Sequence, residues 1–275
     1  FIYSDASATA SQIAVNPQTA LQNDTVAACA RVLSESVAQV SLKTFVRTSK
    51  GKEPATDHWS YWLLHDAPNH FQSSFEYREQ GMMNLLLTGN SYGYLNRRDN
   101  GEVAEILPLV NHRVEAKQED WNITYEISDG KGWSEKLPPE KMFHARWWSK
   151  NGFTGESPIQ IMREAIGFAI ALNRHGAKLF TNGAHPGLIL KYKTWLTKEQ
   201  EKQAQDAVEK GYGGNNAYKA MILGGDTGIE RLGMTSVEAQ YLELLRYLRS
   251  VLAGMLRVPS HMIDDLDRAT FNNIE

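Results

Sequence analysis

Residues 157–187, SPIQIMREAIGFAIALNRHGAKLFTNGAHPG, restrict the fold more than any other part of the chain. Residues 157–182 keep a helical pattern throughout, which at 1.5 Å per residue makes an element about 39 Å long. Ser157 stands where its hydroxyl can cap the first turn, and Pro158 where a missing N–H costs nothing. Apolar residues lie around most of the circumference, whereas a helix on the surface of a lone globule shows one stripe. Asn182-Gly183 and Pro186-Gly187 then stop the helix abruptly. Gly167 and Gly176 are nine residues apart and therefore face opposite ways. Each costs about 1 kcal/mol against alanine in a helix interior. Two readings accommodate that cost: other helices approach closely on both sides, or the helix is buried in one globular core.

A second long helix is predicted to follow. Thr235 and Glu238 fit a capping box, and Val237, Tyr241, Leu244, Leu245, Leu248, Leu252 and Met255 form a continuous stripe. Glu243, Arg246 and Arg249 are expected on the opposite face, and Pro259 stops the run. Between the two helices, residues 187–233 read as a compact insert: a strand GLILKYK, a charged helix LTKEQEKQAQDAVEKGY, a Gly-Gly turn, then AMILGG and GIERLGM.

The N-terminal half differs in kind. Small polar residues open it as a loose arm, and Val26, Ala30, Leu33, Val37 and Val40 then mark an amphipathic helix. SLKTFVRTSKGK reads as a strand running into a glycine turn, and DHWSYWLLHDAPN as a short helix closed by Pro68. SSFEYREQGMMNLLLTGN is a further helix, capped by the Ser pair with Glu76 and ended at Gly89-Asn90. Short strands follow in SYGYLNRR, VAEILPL, RVEAK, ITYEI and KMFHARWW. The fold class is α+β.

Composition narrows the function. With 42% hydrophobic and 22% charged residues among 275, the chain has a globular balance, enough for one large domain or two smaller ones. A net charge of −3 lacks the basic footprint of a tight nucleic-acid binder. Cys29 is the single cysteine, so an internal disulfide is impossible and a reducing compartment is implied. No apolar run approaches the roughly 18 residues of a membrane span. Phe1 at the start and ATFNNIE at the end, which reads as the beginning of a helix, suggest that both termini are cut.

Catalytic signals do not survive inspection. Gly89-Asn90-Ser91-Tyr92-Gly93 matches G-x-S-x-G, the rival reading being a serine hydrolase using Ser91. That elbow needs a strand before the serine and a helix after it, and here the order is reversed. His58, His65 and His70 gather around Trp59 and Trp62 at spacings that place no two on one helical turn. No Walker A sequence is present. Asp264, Asp265 and Asp267 lack the glycine and the closing glutamate of a calcium loop, and read as a solvated loop. No catalytic residue, metal site or cofactor is predicted.

The order of several pieces is itself informative. LQNDTVAACARVLSESVAQVSLKTF, LLLTGNSYGYLNR, TGESPIQIMREAIGFAIALNRHGAKLFTNGAHPG and RVPSHMIDDLDRATFNNIE together resemble the HK97-like portal family of tailed bacteriophages. The resemblance runs from about residue 18 to the end. Its most specific parts are the G-x-SPI entry to the long helix, its F-x-NGA-x-P-G exit, and VP-x-x-[LM]-[IL]-x-D followed by A-T-[FY]-x-NIE.

That resemblance implies a ring, generally a dodecamer, through which double-stranded DNA passes, with the terminase large subunit and capsid and neck or tail proteins as partners. It implies a flexible arm at 1–17, a wing at 18–156, a first stem helix at 157–184, a clip at 185–234, a second stem helix at 235–258, and a tunnel loop with the start of a further helix at 259–275. Gly167, Gly176, Leu245, Leu248 and Leu252 are expected at stem packing or the subunit interface. Lys191, Lys193 and Trp195 are expected at the clip's partner contacts. Asp264, Asp265, Asp267, Arg268, Asn272 and Asn273 are expected at the channel loop. The low net charge suits a conduit, because rows of Lys and Arg would hold DNA through released counterions. A scaffold or adaptor module without DNA contact is the remaining rival.

Overall fold

The computed structural model describes residues 9–181, 189–192, 197–199, 202–203, 206, 227–230 and 236–263. The chain divides into two compact units, Phe1–Asn173 with Leu245–Glu275, and Arg174–Leu244. The first begins with α1 (Pro17–Ala20), capped by a reciprocal pair of bonds between Asn16 and Thr19. In α2 (Asp24–Gln39) the side chain of Asn23 accepts from Val26 N–H and closes the first turn. The buried face of α2 follows the expected stripe at Val26 and Ala30 and departs from it toward the C-terminal end. Val26, Ala30, Ser34 and Ala38 are buried, while Val37 and Val40 are exposed. Small residues at four-residue spacing let α2 pack along α4 (Ser74–Thr88) at close range, and the valines turn aside.

A hairpin of β1 (Phe45–Thr48) and β2 (Gly51–Pro54) leads into α3 (Trp59–His65), where the His58 side chain accepts from Ser60 N–H. Helix α4 starts at a capping box of Ser73 and Glu76 and ends at Gly89, whose φ of 80° is left-handed. Both ends stand where the sequence predicts them. Strands β3 (Asn90–Arg97), β4 (Val103–Leu109) and β8 (Met142–Arg146) form an antiparallel sheet in the order β4–β3–β8. Strands β5 (Val114–Glu119), β6 (Asn122–Ser128) and β7 (Ser134–Leu137) form a second. Three of the four residues of β7 are exposed. As an edge strand held through its backbone bonds to β6, it carries little of the alternation that would reveal it.

Alternation along β3 builds two cores. Leu95 packs with Leu63, Tyr77, Val103 and Ile106 against α3 and α4. Tyr92 and Tyr94 on the opposite face join Leu109, Val114, Tyr125, Leu137 and Met142 between the two sheets. Gly93 is tightly confined, since a Cβ there would lie 2.6 Å from the Tyr77 hydroxyl. Burial pushes the Tyr77 phenol up to about 12.

The loose arm expected over 1–17 is, from Thr9 onward, packed. Ile13 and Val15 are buried, and Thr9 bonds both the N–H and the carbonyl of Ile13. The single helix expected over 157–182 is divided. A turn α5 (Pro158–Ile161), capped by Ser157, precedes α6 (Arg163–Thr181), and Met162 between them has left helical geometry at ψ 4°. The offset lets Ile159, Met162 and Ile166 be buried together. In the second unit β9 (Ile189–Tyr192) pairs antiparallel with β10 (Thr227–Glu230). Helix α7 (Ser236–Met255) begins in that unit and re-enters the first. It ends in a Schellman motif: Arg257 takes φ 57°, and the Val258 N–H reaches back to the Ala253 carbonyl at 2.9 Å.

Candidate assembly surface and the joint behind it

The two glycines of α6 meet different neighbours. At Gly176 a Cβ would lie 1.9 Å from the Tyr241 hydroxyl of α7. At Gly167 it would lie 2.6 Å from Oγ1 of Thr9. Close approach therefore occurs on both faces, but the second neighbour is the chain's own N-terminal segment, which sequence spacing does not identify. Leu248 and Leu252 are buried in the first unit, with Leu245 half-buried. Arg249, expected on the polar face of α7, is half-buried instead and donates to the Ile263 carbonyl. The 3-10 turn Ser260–Ile263 folds back and presents that carbonyl to the guanidinium. Burial pushes the Cys29 thiol up, and the Arg249 charge opposes the shift.

Bulky apolar side chains remain in water along the same helices. They are Ile161 and Phe168 on α5 and α6, and Leu242, Tyr247 and Met255 on α7, with Tyr247 63% exposed. A second group lies on α3, the loop after it and the start of α4, where Trp59, Trp62, Phe71 and Phe75 are exposed. Ser74 joins these two helices by donating to the Leu64 carbonyl. Contiguous patches of exposed apolar side chains mark surfaces that bind partners, whereas single exposed ones need no explanation.

The G-x-S-x-G stretch builds no nucleophile elbow. Ser91 is buried on β3 opposite Ala145, and its hydroxyl lies 3.4 Å from where a Cβ of Gly81 would stand. Its neighbours stitch β3 to the entry of α5 instead. Asn90 Oδ1 accepts from Gly155 N–H at 2.7 Å, and Asn90 Nδ2 donates to the Gly155 carbonyl at 3.0 Å. Ser157 Oγ donates to the Leu87 carbonyl, and Trp147 N–H to the Gly89 carbonyl, both at 2.8 Å. The backbones meet so closely that a Cβ on Gly155 would lie 1.9 Å from the Gly89 oxygen, and one on Gly89 2.4 Å from the Glu156 oxygen. His144 Nε2 stands 3.0 Å from Asn90 Oδ1, and its Nδ1 3.1 Å from the Tyr125 hydroxyl. Burial, aided by the Arg146 charge, pushes the His144 imidazole down to about 4.

Of the other expected site residues, Lys191 lies on β9 opposite Gly228. Lys193, Trp195, Asp264, Asp265, Asp267, Arg268, Asn272 and Asn273 lie outside the described residues. The histidines near Trp59 have local partners: His65 stacks on Tyr61, and His70 bonds Glu105.

This mixed helix-and-sheet fold recurs in solved structures of phage-like particles. Over 92% of this chain and 71% of the other, it is similar at TM-score 0.66 and 21% identity to a chain in the neck of a native gene transfer agent particle computed with C12 symmetry. The chain belongs to the phage portal protein family, whose model matches residues 24–275. It is 25% identical over 259 residues to the portal protein of Enterobacteria phage HK97, covering 93% of this chain. It is 29% identical over 286 residues to the probable portal protein of Streptomyces phage phiC31, covering 98% of this chain. In both cases the chain spans 61% of the relative's length.

Proposed function

We propose that this chain is the subunit of a portal ring at one vertex of a phage capsid, assembled in the host cytoplasm and retained in the virion. Double-stranded DNA is packaged and later ejected through the ring. The terminase large subunit docks on it during packaging, and neck or tail proteins afterwards. The role is structural, with no cofactor, catalytic residue or membrane contact. One observation carries the reading: a member of the portal family leaves Ile161, Phe168, Tyr247 and Met255 in water along its two long helices. A neighbouring copy on each side would cover them, as head-to-tail ring contacts do. The twelvefold symmetry of the similar neck particle supports a dodecamer.

In this reading residues 18–156 are the wing, 157–184 and 235–258 the stem, 185–234 the clip with Lys191, Lys193 and Trp195 at its contacts, and 259–275 the channel loop. Light scattering and particle images of the full-length subunit test it. A closed ring of about a dozen copies is expected. A stable monomer at high concentration would overturn it and favour the adaptor reading.

A further inference from the structure

Two stretches far apart in sequence, Gly89-Asn90 and Gly155-Glu156-Ser157, are interlocked by bonds that leave no room for side chains. Every bond that the Asn90 amide makes is accounted for. Its oxygen accepts from Gly155 and His144, and its nitrogen donates to the carbonyls of Gly155 and Thr88. An amide oxygen only accepts, so His144 Nε2 carries the hydrogen. In the neutral ring Nδ1 is then the acceptor, and the Tyr125 hydroxyl donates to it.

We propose that Asn90 is the positioning residue that fixes the first long helix to the sheet, and that His144 makes this joint proton-sensitive. The entry to α5 is also held by Glu156 N–H, which donates to the Trp148 carbonyl, by Ser157 Oγ, which donates to the Leu87 carbonyl at the end of α4, and by Arg146 of β8, which donates to the Gly152 carbonyl. The Asn90 side chain bonds both backbone groups of Gly155, and so sets the direction in which the chain enters α5. The ring of His144 rests on Tyr92 at 4.3 Å and meets Tyr125 edge-on at 5.5 Å. The groups facing it are those two tyrosines, from β3 and β6, with Arg146 further along β8 acting on it through its charge.

A proton on Nδ1 turns that nitrogen from acceptor to donor, so the Tyr125 hydroxyl must reverse its bond, and it sets a charge beside Arg146 in a half-buried site. The repulsion from Arg146 favours the ring turned out to water, where it no longer bonds Asn90. The burial that lowers His144 acts in the same direction. An acid-loosened joint would let α5 and α6 change direction relative to the sheet without unfolding either body.

Hydrogen exchange of the Gly155 amide in the full-length protein, corrected for intrinsic rates, tests this. In the wild type its protection is expected to fall at least tenfold as pH drops from about 6.5 toward 4, while core amides of β3 hold theirs. His144→Gln keeps a neutral donor within reach of Asn90 and is expected to abolish the pH dependence. Asn90→Ala is expected to remove protection at every pH. A wild type with no pH dependence, or a His144→Gln protein with an unchanged profile, overturns the proposal. If Asn90→Ala does not fold, the His144→Gln profile decides alone. Ring formation is not needed for the measurement, so its result is independent of the proposed function.

Discussion

The hydroxyl of Tyr241 rests on the backbone of Gly176, so close that a Cβ there would lie 1.9 Å from the oxygen. A methyl group at Gly176 must therefore displace the ring or move the helix. Gly176→Ala gains helix propensity of about 1 kcal/mol, but overpacking of this kind costs about 1–3 kcal/mol. The variant is expected to melt lower than the wild type. Tyr241→Phe removes the nearest atom, so adding it to Gly176→Ala should restore part of the loss in a thermal melt.

Gly167 is in the same position toward Thr9. Gly167→Leu should expel the N-terminal segment from its place on α6, at a cost of about 1–3 kcal/mol. Limited proteolysis reads this directly, since cleavage near Thr9 should quicken while the sheet core stays intact. Unchanged cleavage would mean that the segment gives way elsewhere.

His144 predicts a pH dependence of stability. Its pKa is about 4 when folded, against an ordinary value of 6.5. The unfolded chain therefore binds more protons between these values, and stability rises with pH across that window. The contribution is complete above about pH 6.5 and is lost as pH falls toward 4. Discounted for partial solvent exposure, it is about 1–2 kcal/mol. Denaturant melts from pH 4 to 8 should show it, and His144→Gln should flatten the curve.

The acidic run Asp264, Asp265 and Asp267 would, in the proposed ring, form a negative collar that keeps phosphates from adhering. Asp264→Lys with Asp267→Lys should still assemble but slow DNA passage, most strongly at low salt where screening is weakest. Packaging at the wild-type rate in low salt would place the loop away from DNA.

What the sequence determines about this protein is local. Asn23, Ser73 with Glu76, Gly89, Ser157 with Pro158, and Pro259 act within one turn of themselves, so helix ends are legible without a fold. The α+β class, the alternation of β3 and the extent of α7 follow from the same short range. Family membership is legible because several such signals stand in one order. Tertiary structure alone decides which residues meet. Nothing near Asn90 announces Gly155, 65 residues away, and nothing near Gly167 announces Thr9. Val37 and Arg249 took the wrong faces in the periodic reading for one reason: a helix buries the side on which its neighbour approaches. For α2 that side is lined by Ala30, Ser34 and Ala38, and for α7 it includes the carbonyl of Ile263. Periodicity measures how apolar a face is, whereas burial depends on where the rest of the chain returns.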